Sequence, residues 1–207
     1  MAPFSEVEIV TARLDPPPEA VRALSQRLCG EEQARAARLR FDRDRRRFVV
    51  ARARLRELLG ERLGSAPESI AFAYGANGKP ALAGRFAASG WRFNLSRREE
   101  LAVYAFSRLG ELGVDVEAIG PVREADAIAA RLFSRRERKT YLALASHERA
   151  LGFLRVWTRK EALAKALGDG LTMPAEALDC VRAALAGWRL HSFSPQPGFI
   201  AALAHRE

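Results

Sequence analysis

Residues 146–167 read as one long helix stopped by Gly168, apolar around most of its circumference, with only Arg155 and Arg159 marking a wet face. Yet the same helix carries Lys160, Glu161 and Lys165. Trp157, Glu161 and Lys165 are spaced four apart and share one stripe, and Glu161 lies nearly in line with Leu154. A carboxylate on an apolar stripe is either paired or lines a cleft, because an unanswered buried charge is costly. The alternative is a solvated Glu161–Lys165 pair, worth about 0.3–0.5 kcal/mol. A buried helix bearing three charges constrains the fold to supply partners for them.

The run LGVDVEAIG carries a second acidic feature. Period-two alternation puts Asp115 and Glu117 on one strand face and Val114 and Val116 on the other. Two carboxylates about 7 Å apart repel each other unless a cation sits between or beside them. Oxygen-only ligands suit Mg²⁺, which keeps waters and borrows phosphate oxygens. A plainly solvated strand face has the same pattern.

Around these runs the chain reads as α+β. A strand is expected over Val7–Arg13, and a helix with Val21, Leu24 and Leu28 on one face stopped by Gly30. An Arg-rich helix over 31–41 and a longer one from Asp44 to Leu63 follow. Ile70–Tyr74 reads as a strand before the turn dipeptide Asn77-Gly78. Leu101–Phe106 and Leu112–Glu117, joined by SRLG, read as a hairpin. Helices are expected over 122–132, from the capping box Ser134/Glu137, and over 146–167. Strands close the pattern at Trp188–Phe193 and Phe199–Leu203. Two similar halves of helices followed by mostly antiparallel strands, packed together without a linker, are the expected architecture.

Smaller signals exclude several chemistries. In YGANGKPAL, Lys79 follows a Gly-rich turn, but a phosphate-binding Walker loop needs Ser or Thr next, and Pro80 stands there. A tight hairpin presenting Lys79 beside a rigid Pro80 remains. FNLSRR places Ser96, Arg97 and Arg98 at a strand end, a phosphate-binding set or a solvated basic loop. Cys29 and Cys180 lack metal or redox spacing and are expected as buried small hydrophobes. His147, His191 and His205 show no zinc spacing. No run approaches the roughly 18 apolar residues of a membrane span, and the start lacks a secretory pattern, so a cytoplasmic protein is expected. The net charge of +9, with 30 Arg against four Lys, favours anionic partners.

The order of these fragments resembles the Sfp-type, single-chain class of 4′-phosphopantetheinyl transferases, over about residues 31–174. The carriers of that resemblance are RRRFVVARARLRELLG, NGKPAL, FNLS, GVDVE, FSRRE, WTRKEALAK and GDGL. It implies transfer of 4′-phosphopantetheine from coenzyme A to a serine of an apo acyl or peptidyl carrier protein, releasing 3′,5′-ADP. It implies residues 1–108 as a half that binds the coenzyme A nucleotide, and 109–207 as a half bearing metal and catalytic carboxylates. Asp115, Glu117 and Glu161 would hold Mg²⁺ (or Mn²⁺), with Glu161 also the base and Lys165 offsetting charge on the leaving phosphate. Arg47, Lys79, Pro80, Ser96, Arg97 and Lys160 would grip coenzyme A. The expected partners are coenzyme A and an acidic carrier protein, not nucleic acid or membrane, met by a monomer. The family pattern F-N-x-S-H-S is broken here, where Arg97 and Arg98 replace His and Ser. A non-catalytic coenzyme A-binding scaffold and a basic nucleic-acid-binding protein are the alternative readings.

Overall fold

A long helix, two sheets and a second long helix stack as four layers among the described residues. The computed structural model describes residues 7–168, 176, 178–181, 184–185 and 187–206. The order is β1 (Glu8–Arg13), α1 (Pro18–Ser25), α2 (Gly30–Ala37), α3 (Asp42–Leu63), β2 (Phe72–Tyr74), β3 (Pro80–Leu82), β4 (Arg92–Arg98) and β5 (Leu101–Ser107). Then come β6 (Leu112–Ala118), α4 (Ala125–Leu132), α5 (Arg135–Leu142), α6 (Ser146–Leu167), β7 (Ala184–Leu185), β8 (Trp188–Phe193) and β9 (Phe199–Arg206). The α+β class and the antiparallel strands are as the sequence suggests: β1-β5-β4 form one sheet, β6-β9-β8-β7 another, and β2-β3 a small hairpin.

The two larger sheets pack face to face. Leu101, Val103 and Ala105 of β5 meet Val114 and Val116 of β6 and Ala201 and Leu203 of β9. The other face of β5, with Ala102, Tyr104 and Phe106, packs under α3. Every residue of β5 is therefore buried, which is why it reads as a continuous apolar run. The far face of the second sheet, with Leu190, Ala202 and Ala204, is covered by Ala162, Leu163 and Ala166 of α6. A 22-residue helix thus backs each sheet, α3 on one side and α6 on the other.

Two expectations are corrected here. Leu101–Phe106 and Leu112–Glu117 are strands, but they do not pair: β5 pairs with β1 and β4, and β6 with β9. Both are apolar on a shared face, so alternation found each strand and could not choose its neighbour. The hairpin is β4–β5, closed at Glu99-Glu100 with Glu99 at φ 50°. The first helix ends at Ser25, and Gly30 opens α2 instead of stopping α1. Ser134 and Glu137 do form the expected capping box, at 3.2 and 2.6 Å.

One contact fixes how closely α6 rides on its sheet. A Cβ at Gly113 would lie 2.1 Å from the Ala162 carbonyl oxygen and 2.4 Å from the Ala166 nitrogen. Only glycine lets the β6 backbone touch the helix backbone, and this brings Glu161 and Lys165 onto the strand that carries Asp115. Gly113→Ala should destabilise the fold by about 3 kcal/mol or more, since neither backbone can retreat. Urea unfolding followed by circular dichroism checks this; an unchanged midpoint would refute the contact.

Candidate active site

Where the edge strands of the two sheets meet, β4 lies beside β6. The Asn94 carboxamide Oδ1 accepts the Val114 N–H at 2.9 Å, so a side chain of one sheet satisfies the free edge of the other. Two residues further along, Ser96 Oγ donates to Asp115 Oδ1 at 2.9 Å. Lys165 Nζ, arriving from α6, donates to the same oxygen at 2.6 Å, to Ser96 Oγ at 2.9 Å and to the Val114 carbonyl at 3.3 Å. The cluster draws one side chain from each of β4, β6 and α6.

Glu117 and Glu161 complete it. Burial pushes the Glu117 carboxyl up from its ordinary value, and Asp115 adds to that; Arg98, the Trp157 indole N–H and Lys165 pull it back. Arg98 Nε lies 3.1 Å from Glu117 Oε2. Glu161 is likewise pushed up, first by burial and then by Asp115, with Lys165 opposing. Among the described residues no three carboxylate, His or Cys side chains are drawn tightly enough together to hold a metal ion. The donor chemistry nonetheless fits a hard divalent cation. Asp115 Oδ2 is buried with no hydrogen-bond partner, and the Asp115 charge repels both Glu117 and Glu161, so the donors offered are oxygens only.

A second cluster lies on the other side of Pro80. The guanidinium carbons of Arg35, Arg52 and Arg97 stand 5.6, 6.0 and 5.6 Å from the centre of the Phe48 ring. They line a cavity of about 170 Å³ with Gly78 and Pro80. Arg52 is 7% exposed and its Nη1 has no hydrogen-bond partner; its Nε is 3.4 Å from Glu32. Burial, followed by the charge of Arg35, holds Arg97 below its usual range. Three cations crowded onto one ring are a site for an anion. A cavity of about 320 Å³ lined by Gly78, Lys79, Pro80, Leu95, Ala164 and Lys165 continues from it toward the carboxylates. The two cavities share Gly78, Pro80 and Leu95, so one trough runs from three guanidiniums to Lys165.

Of the residues expected from the sequence, Pro80, Arg97 and Lys165 line this trough, and Ser96, Asp115, Glu117 and Glu161 gather around Lys165 at its end. Lys79 lies on its wall, but its ammonium is tied to Glu111 at 3.1 Å and to the Leu112 and Ala166 carbonyls at 3.2 and 3.4 Å. Arg47 is directed elsewhere, into a bidentate pair with Asp15 at 2.9 and 2.6 Å. Arg52, five residues on and about 140° around the helix, lines the trough, and Arg47 does not. Arg52, Arg35 and Phe48 were missed because α3 is studded with arginines and only the helix phase against α2 and β4 selects among them. Arg56 shows the problem: it is wholly buried on Glu32 at 2.7 Å and on the Ile70 carbonyl at 2.8 Å.

Lys160 is not brought to the trough either. It is 3% exposed, paired with Glu137 at 2.9 Å and bonded to the Leu178 carbonyl at 2.7 Å. Glu137 in turn accepts the Cys180 N–H at 2.7 Å, so this pair clasps residues 178–181 to α5 and α6. Arg159, expected on the wet face, is half-buried against Ser192 Oγ at 2.8 Å and the Cys180 carbonyl at 2.9 Å. Cys180 is buried, its thiol pushed up to about 12 by burial, whereas Cys29 is exposed at the start of α2 and not the buried hydrophobe expected. The GDGL run beyond Gly168 lies outside the described residues. Lys160→Ala should cost about 3–5 kcal/mol of stability, because it strands the Glu137 charge in the core. Thermal unfolding checks it, and a loss below 1 kcal/mol would return Lys160 to the list of ligand contacts.

Comparison with known proteins identifies the family. Residues 13–108 match the family described as 4′-phosphopantetheinyl transferase, N-terminal, and residues 111–203 match the 4′-phosphopantetheinyl transferase superfamily. The chain is 39% identical over 166 residues to the 4′-phosphopantetheinyl transferase HetI of Nostoc sp., covering 80% of this chain and 70% of HetI. It is 35% identical over 145 residues to slr0495 of Synechocystis sp., covering 70% of this chain and 58% of that protein. With the 4′-phosphopantetheinyl transferase psf-1 of Bacillus pumilus it shares 32% over 142 residues, 69% of this chain and 58% of psf-1. Among the described residues no helix is long and apolar enough to cross a membrane. Matched along both halves, and to HetI over 70% of that protein, this chain is a transferase of the 4′-phosphopantetheinyl transferase superfamily.

Proposed function

We propose that the chain moves 4′-phosphopantetheine from coenzyme A to a serine of an acidic apo carrier protein, in the presence of Mg²⁺, and releases 3′,5′-ADP. The observation that carries this reading is the trough, which matches a ligand with phosphates at one end and a reacting pyrophosphate at the other. Arg35, Arg52 and Arg97 would hold the nucleotide phosphate, with Phe48 giving the three guanidiniums a common face. Pro80 and Lys79 would wall the middle, and Ser96 and Lys165 would meet the pyrophosphate. The half formed by residues 1–108 then grips the nucleotide, and 109–207 supplies the carboxylates.

In the reaction the serine oxygen forms a bond to the β-phosphorus. The bond from that phosphorus to the bridging oxygen breaks, and the electron pair leaves on 3′,5′-ADP. Glu161 takes the serine proton, a task suited to a carboxyl whose burial raises its proton affinity. Lys165 offsets the charge growing on the leaving phosphate. A divalent cation held by Asp115, Glu117 and Glu161 would supply electrostatic stabilisation of the pyrophosphate oxygens. The basic surface, at net charge +9, would draw in an acidic carrier. Monomeric, cytoplasmic action completes the reading.

Intact-mass spectrometry of apo carrier proteins mixed with the protein, coenzyme A and Mg²⁺ tests it, the expected result being a gain of one phosphopantetheine that EDTA abolishes. Glu161→Gln should lower turnover by about 10²–10⁴-fold with the fold intact; full turnover would remove Glu161 from the chemistry. Arg97 is a permanent cation, so Arg97→His should bind coenzyme A nearly as well below the usual histidine value of about 6.5 and progressively worse above it. Calorimetric titrations from pH 5.5 to 8 would show the ratio of the two affinities widening; a constant ratio would place Arg97 off the ligand.

A further inference from the structure

Glu117 is held from two sides by donors of different strength. The Trp157 indole, on the half-buried part of α6, is fixed by stacking on Phe153 at 6.0 Å. Arg98 comes from the end of β4, with its side chain 54% exposed against 19% for Glu117. Lys165, the other cation of the cluster, reaches from α6 to three protein acceptors. Arg98 has only this ion pair among the bonds described at its guanidinium. An exposed pair is worth little, because water screens the attraction and the long side chain is free to swing away.

We propose that Arg98 is a removable resident counter-ion that competes with a divalent cation for Glu117, so that cation binding releases the guanidinium to solvent. The inference rests on the reading of Asp115, Glu117 and Glu161 as a cation site. Two like charges cannot share one carboxylate edge at contact distance without strong repulsion. Lys165 stays on Asp115 Oδ1, and the orphaned Oδ2 and Glu117 face the incoming ion. Arg98 thus keeps Glu117 paired when no cation is bound and sets a threshold concentration that the cation must exceed.

The test is a titration of free Mn²⁺ by electron paramagnetic resonance, on the full chain without coenzyme A or carrier. Arg98→Ser should bind Mn²⁺ about three- to tenfold more tightly than the parent, the size of one screened charge contact plus relief of repulsion. Arg92 sits on the same strand with a similar exposure and pairs with Glu111 at 2.9 Å, away from the cluster. Arg92→Ser should leave the affinity within about twofold, because its charge is screened. In a Glu117→Gln background, Arg98→Ser should have no further effect. An unchanged or weakened affinity in Arg98→Ser, or equal tightening in Arg92→Ser, overturns the proposal while leaving the cation site standing. No Mn²⁺ bound by either the parent or Arg98→Ser overturns the cation site itself, and the proposal with it.

Discussion

The apolar seam between the two sheets is the contact on which the rest depends. Leu101, Val103 and Ala105 can be buried only if β6 and β9 cover them, and Val114, Val116 and Leu203 only if β5 does. Area removed from water on both sides of one strand is the largest favourable term the chain has to use. Once the faces are apposed, the edge strands β4 and β6 must run side by side, and their polar groups must be answered. Asn94 answers a backbone N–H, and Ser96 and Lys165 answer Asp115. The polar cluster is thus a product of the seam and belongs to neither half alone.

Charge is distributed along the trough in a graded way. At one end three guanidiniums crowd a phenyl ring with an unpartnered Nη1 on Arg52; at the other, three carboxylates crowd two cations with an unpartnered Oδ2 on Asp115. Each end is electrostatically unfinished, and the two ends want partners of opposite sign. A ligand that carries phosphate at one terminus and gathers cations at its pyrophosphate satisfies both. Elsewhere buried charges are paired: Lys160 with Glu137 and Arg56 with Glu32.

Much of this was legible in the residues. Alternation placed Asp115 and Glu117 on the same face, helical spacing put Trp157, Glu161 and Lys165 on one stripe, and Ser134 with Glu137 announced a helix start. What periodicity cannot report is which element an element will touch. Leu101–Ser107 and Leu112–Ala118 were visible as strands, but their membership of different sheets follows from burial on both faces of β5. Likewise Arg47 and Arg52 are equivalent on paper, and only the phase of α3 against its neighbours gives one to Asp15 and the other to Phe48. Lys160 and Glu161 adjoin in the sequence yet point about 100° apart, so one is core and the other site. Exposure of Cys29 follows from its place just ahead of α2, where the apolar pattern of α1 has already ended.

The pairing of β6 with β9 has a kinetic meaning. β9 lies between β6 and β8 within its sheet, although about 80 residues, α4, α5 and α6 among them, separate it from β6 along the chain. α6 has no finished floor to settle on until that distant strand has threaded into the middle. Local contacts in α3–α6 form early and cheaply, whereas closing this long loop is slow and must precede the burial of β5 on its second face. The central strand of the second sheet is thus the slow step, and the amides of β5 and β9 belong to the set that opens to solvent only when the whole molecule does.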